Sequence, residues 1–164
     1  MLVARTFRVA AAASAAVAAV LLPAACSDDG DEPRRDASGN VTESAAADVF
    51  QVRVGDCLGD FGDSEQVTDV SVVPCDQEHA QEIYATAQIP DGELPSDDDL
   101  RAQAEEVCTA EFEAYVGLPY AESALDFTWL QPTAESWEQG DRELVCLVND
   151  PAGPVTGSLQ GANR

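Results

Sequence analysis

Lysine is absent from this chain of 164 residues, and histidine occurs only once, at His79. The eight basic residues are all arginines and face 31 acidic residues, so the net charge is −23. So negative a surface repels phosphate groups, which argues against nucleic acid as a partner and against adsorption to anionic lipid headgroups. Any Ser-His or Cys-His mechanism would depend on His79, because the chain offers no second imidazole.

A long apolar run is missing as well. The most apolar stretch, residues 9–22, is shorter than the roughly 20 residues that a membrane-spanning helix requires. It follows Arg5 and Arg8 and ends in Leu22-Pro23-Ala24-Ala25-Cys26, which is the basic, apolar, small-residue order of a secretory signal. Small residues that end in Cys resemble the bacterial lipobox, although Pro23 stands where that pattern has Leu. We therefore predict a lipoprotein signal peptide over 1–25 and a lipidated, palmitate-bearing Cys26. The alternatives are a secreted protein with a free thiol and a permanent anchor helix.

The segment after Cys26 contains few apolar side chains. Residues 26–48 are dominated by Asp, Glu, Ser, Gly and Ala. Such a segment buries too little apolar surface to offset the entropy lost on ordering. We predict a disordered acidic tether over 26–48 and one domain of ordinary size over 49–160.

Strand patterns lie on both sides of one strong helix pattern. Apolar residues alternate over 50–54 and 80–89, and a β-branched run covers 67–73. Two further strands are predicted at 126–130 and 144–148, and the second is apolar throughout, as in a central strand buried on both faces. Residues 132–139 predict one or two helical turns that contain Trp137. The result is an α+β fold, with a small, mainly antiparallel sheet and one long helix packed on it.

The predicted helix has clear signals at both ends. Ser96 and Asp99 have the spacing of a capping box, and Gly117 is a natural C-terminal stop. The acidic run over 97–99 suits the positive end of the helix dipole and lacks the ligand spacing of a calcium loop. Apolar residues recur at helical spacing between these ends, and Cys108 is among them.

Four cysteines follow Cys26, at positions 57, 75, 108 and 146. They allow three disulfide pairings, and sequence alone does not choose among them. Because Cys108 lies on the apolar helix face and Cys146 in an apolar strand, we prefer the pairs Cys57–Cys75 and Cys108–Cys146. The chain contains no Cys-x-x-Cys, so neither a zinc ribbon nor a dithiol redox motif is predicted.

His79 is the first candidate for chemistry, since acidic residues surround it and one His with two carboxylates can bind a metal. In so acidic a chain such neighbours arise by chance, and we expect a structural His79, no metal, no cofactor and no catalytic residue. Trp137 is a possible binding platform, and Arg142 is expected to be an internal charge partner. The candidate partner-binding residues are His79, Glu82, Trp137, Asp141 and Arg142.

Several short segments form a recognisable ordered pattern. They are Val54-Gly55-Asp56-Cys57, Val73-Pro74-Cys75 with His79 and Glu82, Cys108 with Phe112-Glu113-Ala114-Tyr115-Val116-Gly117, Leu130-Gln131-Pro132-Thr133, Glu135-Ser136-Trp137, Gly140-Asp141-Arg142, Cys146 and Gly157-Ser158-Leu159. The pattern resembles the actinobacterial septum-formation domain family over residues 50–160. The resemblance implies a lipoprotein or membrane-tethered protein linked to septum formation and cell division, and it implies no known catalytic residues.

Two classes of function follow. The leading hypothesis is a non-catalytic binding or scaffold module, lipid-anchored through Cys26 at the extracytoplasmic face of the plasma membrane, with an envelope or divisome protein as partner. The competing hypothesis is an envelope enzyme, or a protein that binds a small ligand or metal, using His79 and nearby carboxylates. A pocket that holds His79 with Glu82 or Asp141 would favour the second hypothesis.

Overall fold

The computed structural model describes residues 32–62 and 69–164. The predicted signal peptide, Cys26 and the first part of the predicted tether therefore lie outside the described residues. In the described ranges, no helix has both the length and the apolar character that crossing a bilayer requires.

Six antiparallel strands form the main sheet, in the spatial order β1-β3-β2-β5-β7-β6. The strands are β1 (Ala45–Asp48), β2 (Cys57–Leu58), β3 (Asp69–Val73), β5 (Gln81–Gln88), β6 (Asp126–Leu130) and β7 (Glu143–Asn149). A separate two-stranded ladder pairs β4 (Glu78–His79) with β8 (Val155–Thr156). The α+β, mainly antiparallel prediction is confirmed.

One long helix, α1 (Asp97–Val116), packs on the sheet, and a short helix, α2 (Ala134–Glu138), precedes β7. The predicted ends of α1 are confirmed, since the Ser96 side chain accepts a hydrogen bond from the Asp99 amide. Gly117 terminates the helix with a φ of 91°, and a Cβ there would lie 2.7 Å from Asn163 Oδ1. Only glycine accommodates both the positive φ and the close approach of Asn163 without strain.

The sheet is buried on both faces. Cys108, Phe112 and Val116 of α1 pack on one face, against Tyr84 and other buried side chains. The opposite face is covered by a second cluster that includes Val41 and Ala47 from the N-terminal segment. β7 contributes side chains to both clusters, which confirms the prediction of a central strand.

Two disulfides join elements of this fold. Cys57 is bonded to Cys75, and Cys108 of α1 is bonded to Cys146 of β7, with Cα–Cα distances of 5.3 and 5.5 Å. Both preferred pairings are confirmed. The second bridge fixes the helix to the central strand within a cluster of buried side chains.

The predicted strand over residues 50–54 is wrong. The chain instead forms a 3₁₀ turn over Val49–Gln51, because the Asp48 side chain caps it by accepting a hydrogen bond from the Phe50 amide. Phe50 and Val54 are more than half exposed, so the alternating pattern there marks no buried face. The strand predicted over 67–73 is described from Asp69 onward, and its first two residues lie outside the described ranges.

The predicted boundary between tether and domain at residue 49 is also too late. Residues 45–48 form β1, which pairs with β3 over its whole length. Farther back, Arg35 and Val41 form a β-bridge, and the Arg35 guanidinium makes a two-pronged ion pair with Asp56 at 2.5 and 2.7 Å. Residues 32–48 are therefore part of the folded domain, because charged and apolar side chains of this segment find partners far along the chain.

Two phenylalanines provide a matched test of the core. Phe112 is fully buried, whereas Phe50 is 55% exposed. We expect Phe112→Ala to lower the free energy of unfolding by about 3–5 kcal/mol, through lost apolar burial and the cavity left behind. Phe50→Ala should change it by less than about 0.5 kcal/mol. Urea unfolding followed by far-UV circular dichroism measures both, and equal effects would contradict the described core.

Candidate functional site

A cleft of about 580 Å³ opens at the corner where β2, the start of β5 and the end of α1 meet. We name it the Glu82 cleft. Its lining residues are Asn40, Val41, Thr42, Gly55, Cys57, Pro74, Cys75, Asp76, Gln77, Glu82, Tyr115, Ser158 and Gln160. The N-terminal segment, the first disulfide and the C-terminal segment thus share one concave surface.

Glu82 is the buried charge of this cleft, with 1% of its surface exposed. Its Oε1 accepts hydrogen bonds from the Tyr115 hydroxyl at 2.5 Å and from the Ser158 hydroxyl at 2.6 Å. Its Oε2 accepts one from the Leu159 amide at 2.5 Å. A buried carboxylate requires such partners, because a carboxylate buried without them would destabilise the fold by roughly several kcal/mol. Burial, together with the hydrogen bond to Glu82, raises the pKa of the Tyr115 phenol.

His79 lies next to Glu82, in β4, and is also buried. Its Nδ1 is 2.9 Å from the carbonyl oxygen of Gln77. Its Nε2 has no hydrogen-bond partner among the described residues. One ligand atom each of His79, Glu82 and Cys57 fall within 4.8 Å of one another. The structure therefore brings His79 and Glu82 together, but only Glu82 of the two lines the cleft, whereas the competing hypothesis called for a pocket that holds both.

A buried ion pair supports the same corner from the N-terminal side. Asp56 accepts both prongs of the Arg35 guanidinium and also the Arg53 amide, at 2.8 Å. The hydrogen bond to Asp56 raises the pKa of Arg35. Sequence reasoning missed this pair, since Arg35 was assigned to the tether. No local pattern in the sequence predicts it, because the two partners lie 21 residues apart along the chain.

Trp137, Asp141 and Arg142 form a second group, which we name the Trp137 cluster. The Arg142 guanidinium carbon lies 3.6 Å from the centroid of the Trp137 ring, and its Nη1 donates to the carbonyl oxygens of Trp137 and Asp141. Asp141 accepts hydrogen bonds from the Ser136 hydroxyl and the Glu143 amide. Trp137 is only 8% exposed. The expectation that Arg142 is an internal charge partner agrees with these contacts and with its ion pair to Asp91.

The two groups are separate. Glu82 of β5 pairs with Val148 of β7, whereas Gln88 pairs with Glu143, beside the Trp137 cluster. Six residues of strand separate these positions, which corresponds to roughly 20 Å. His79 therefore lies near Glu82 and not near Asp141. The five candidate residues do not form one site.

The architecture defines a disulfide-stapled α+β domain with one long helix over a curled antiparallel sheet. Comparison with protein families gives a match to the septum-formation family over residues 23–148. This chain belongs to that family. No curated protein and no solved structure matches the chain. The matched segment ends at Val148, so Ser158 and Leu159, which hold the Glu82 carboxylate, lie beyond it.

The Tyr115–Glu82 hydrogen bond yields a pH prediction. The pKa of folded Tyr115 is raised, so its stabilising contribution is complete below the ordinary tyrosine pKa of about 10 and declines as the pH rises above that value. Tyr115→Phe should lower the free energy of unfolding by about 1–3 kcal/mol at neutral pH. The difference in the free energy of unfolding between Tyr115→Phe and the wild type should become smaller above about pH 10.

Urea unfolding at a series of pH values measures this difference in the free energy of unfolding. The exposed Tyr120, whose hydroxyl donates to Asp126, supplies the control. Tyr120→Phe should change stability by less than about 1 kcal/mol. A gap for Tyr115→Phe that stays constant through the alkaline range would contradict the described contact.

Proposed function

We propose that this chain is a lipid-anchored protein that acts in septum formation by binding another envelope protein, without catalysing a reaction. The observation that carries the proposal is the septum-formation family match, which covers most of the chain. The matched segment begins at residue 23 and so includes Cys26, the proposed lipidation site. The proposed location is the extracytoplasmic face of the plasma membrane.

Internal contacts of the candidate residues support a binding role over catalysis. Glu82 accepts three hydrogen bonds from the fold, and Asp141 accepts two. Arg142 is stacked on Trp137 and hydrogen-bonded to two carbonyl groups. Side chains used in this way position backbone segments. Their main contribution is to a rigid surface that another protein can recognise.

The charge distribution indicates the chemistry of the partner. Among the described residues, Arg34, Arg35, Arg53, Arg142 and Arg164 each form an ion pair with a carboxylate. The excess of acidic residues therefore remains on the surface, including Glu105, Glu106 and Glu113 on the exposed side of α1. Such a surface favours a protein partner with a basic face and speeds encounter with it at low salt.

The proposed anchor would hold this domain close to the bilayer. Residues 27–31 separate Cys26 from Glu32, the first described residue, whose side chain pairs with Arg53. A fully extended chain covers at most about 3.6 Å per residue, so this connection spans no more than roughly 20 Å. Each acyl CH₂ buried in the bilayer contributes about 0.8 kcal/mol, so a multiply acylated Cys26 would remain membrane-bound.

The Glu82 cleft favours a second candidate function, the binding of a small ligand. Its volume of about 580 Å³ lies in the range of ligand pockets, roughly 300–1,000 Å³. Much of its lining is polar and uncharged, including Asn40, Thr42 and Gln77. A small polar molecule would suit this lining. Because that molecule would be either a ligand or a substrate, this second candidate function includes the enzyme hypothesis.

The anchor is tested by mass spectrometry of the mature, exported chain. We expect Cys26 to be its first residue and to carry acyl groups. Cys26→Ser should move the chain from the membrane fraction to the soluble extracytoplasmic fraction, because the substitution removes the proposed lipid attachment. An exported wild-type chain with an unmodified Cys26 would contradict the anchor and leave the septal role to be judged separately.

The septal role is tested in the native host with a fluorescent fusion and a deletion strain. We expect the wild-type fusion to concentrate at septa and the deletion to delay septation. Glu105→Gln, Glu106→Gln and Glu113→Gln together should reduce septal enrichment if the acidic side of α1 binds the partner. Glu135→Gln with Glu138→Gln, on α2, is the matched control. A uniform membrane signal combined with normal septation in the deletion strain would reject the role.

A further inference from the structure

Four potential metal ligands meet beneath the Glu82 cleft. Ligand atoms of Cys57, His79 and Glu82 lie within 4.8 Å of one another, and the three residues are 0, 2 and 1% exposed. Cys75, which is bonded to Cys57, precedes His79 by four residues. Two sulfurs, one imidazole nitrogen and one carboxylate therefore share a single corner, in which only Cys75 is half-buried. This donor set suits Zn²⁺, which binds thiolate, imidazole and carboxylate in tetrahedral geometry.

The hydrogen bond of His79 prepares its ring to bind a metal. The Gln77 carbonyl can only accept, so Nδ1 at 2.9 Å from it must carry the proton. In the neutral ring, Nε2 then has a lone pair, and this atom is buried without a partner among the described residues. A metal-binding histidine usually donates its other N–H to a carbonyl or carboxylate in this way. An unsatisfied buried nitrogen calls for an explanation, and a metal ligand provides one.

Glu82 retains capacity for one more bond. A carboxylate has about four lone-pair positions, and the fold uses two on Oε1 and one on Oε2. Tyr115, Ser158 and the Leu159 amide hold the group in a fixed orientation from the side of α1 and the C-terminal segment. Such outer contacts are what orient metal-binding carboxylates.

In the disulfide form, Cys57 and Cys75 bind each other and present no thiolate. We infer that opening the Cys57–Cys75 bond converts this corner into a Zn²⁺ site, with Cys57, Cys75, His79 and Glu82 as ligands. A dithiol supplies the two electrons. Its two thiols become a disulfide, the Cys57–Cys75 S–S bond is replaced by two S–H bonds, and Zn²⁺ then displaces those two protons.

The surrounding geometry permits this exchange. Around a tetrahedral zinc, ligand atoms lie roughly 3.3–3.8 Å apart. The ligand atoms of Cys57, His79 and Glu82 lie within 4.8 Å of one another, so side-chain rotations after the bond opens have only roughly 1 Å to close. Cys57, Cys75 and Glu82 line the cleft, which gives both the reductant and the ion a route from solvent. Cys108 and Cys146 are fully buried, so the second disulfide is the more protected one.

The test uses the full chain with Cys26→Ser, which removes the cysteine outside the two bridges. A water-soluble phosphine reduces it without oxygen, and alkylation with mass spectrometry identifies the freed thiols. Co²⁺ then serves as a spectroscopic probe. We expect thiolate-to-cobalt charge transfer and tetrahedral d–d bands that saturate at one Co²⁺ per reduced chain, and Zn²⁺ should abolish them. The oxidised chain should give no such bands.

Isosteric variants show which side chains bind the metal. His79→Gln and Glu82→Gln should each weaken Zn²⁺ binding at least about tenfold. Glu78→Gln, an exposed position next to His79 in β4, should leave the affinity for Zn²⁺ unchanged. If reduction unfolds the chain, Zn²⁺ should restore its far-UV circular dichroism, and it should fail to do so in Cys57→Ser with Cys75→Ser.

Three results would overturn the inference. The first is a reduced chain that shows neither cobalt–thiolate bands nor zinc-dependent refolding. The second is a His79→Gln chain that binds Zn²⁺ as tightly as the parent. The third is a set of bands that persists in Cys57→Ser with Cys75→Ser, because the signal would then come from Cys108 and Cys146.

Discussion

The buried carboxylate of Glu82 is the interaction on which the remainder of the fold depends. It lies in β5, yet its partners come from the end of α1 and from the C-terminal segment. Its backbone is paired with Cys57 on one side and with Val148 on the other. Through its side chain and its backbone, this one residue therefore connects the helix, three strands and the C-terminal segment. A buried charge is tolerated only in a structure that supplies all of its hydrogen-bond donors. Glu82 therefore contributes more to the selection of this one fold than to its net stability.

The antiparallel pairing of β5 with β7 divides the domain into two ends with different characters. At one end, the Trp137 cluster closes the turn between α2 and β7 with a stacked guanidinium and hydrogen bonds to carbonyl groups. At the other end, the Glu82 cleft combines a disulfide, a buried histidine and a polar lining. The first end is filled by its own side chains. The second retains space and, within the described ranges, an unpartnered histidine nitrogen, so the proposed disulfide opening and metal binding are placed there.

Local signals in the sequence were sufficient for α1 and β7. Ser96 and Gly117 mark the two ends of α1 through contacts with residues three or four positions away. The apolar run over 144–148 indicates a strand that is buried on both faces. The disulfide pairing followed because Cys108 lies on the apolar face of that helix. Long-range partners were not accessible in the same way. Arg35 looks like a tether residue until Asp56, 21 residues later, is placed beside it. The approach of Cys57 to Glu82 depends on strand register between β2 and β5, which no local pattern specifies.

The Arg35–Asp56 pair determines how the domain would respond to mechanical load. A pull applied from the N-terminal side of the chain reaches this guanidinium–carboxylate contact before it reaches the sheet. Should the contact and the pairing of β1 with β3 give way, peeling stops at Cys57, because a covalent bond joins that residue to Cys75 across the next turn. The N-terminal segment can thus lengthen under force, while the helix and the central strands keep their arrangement.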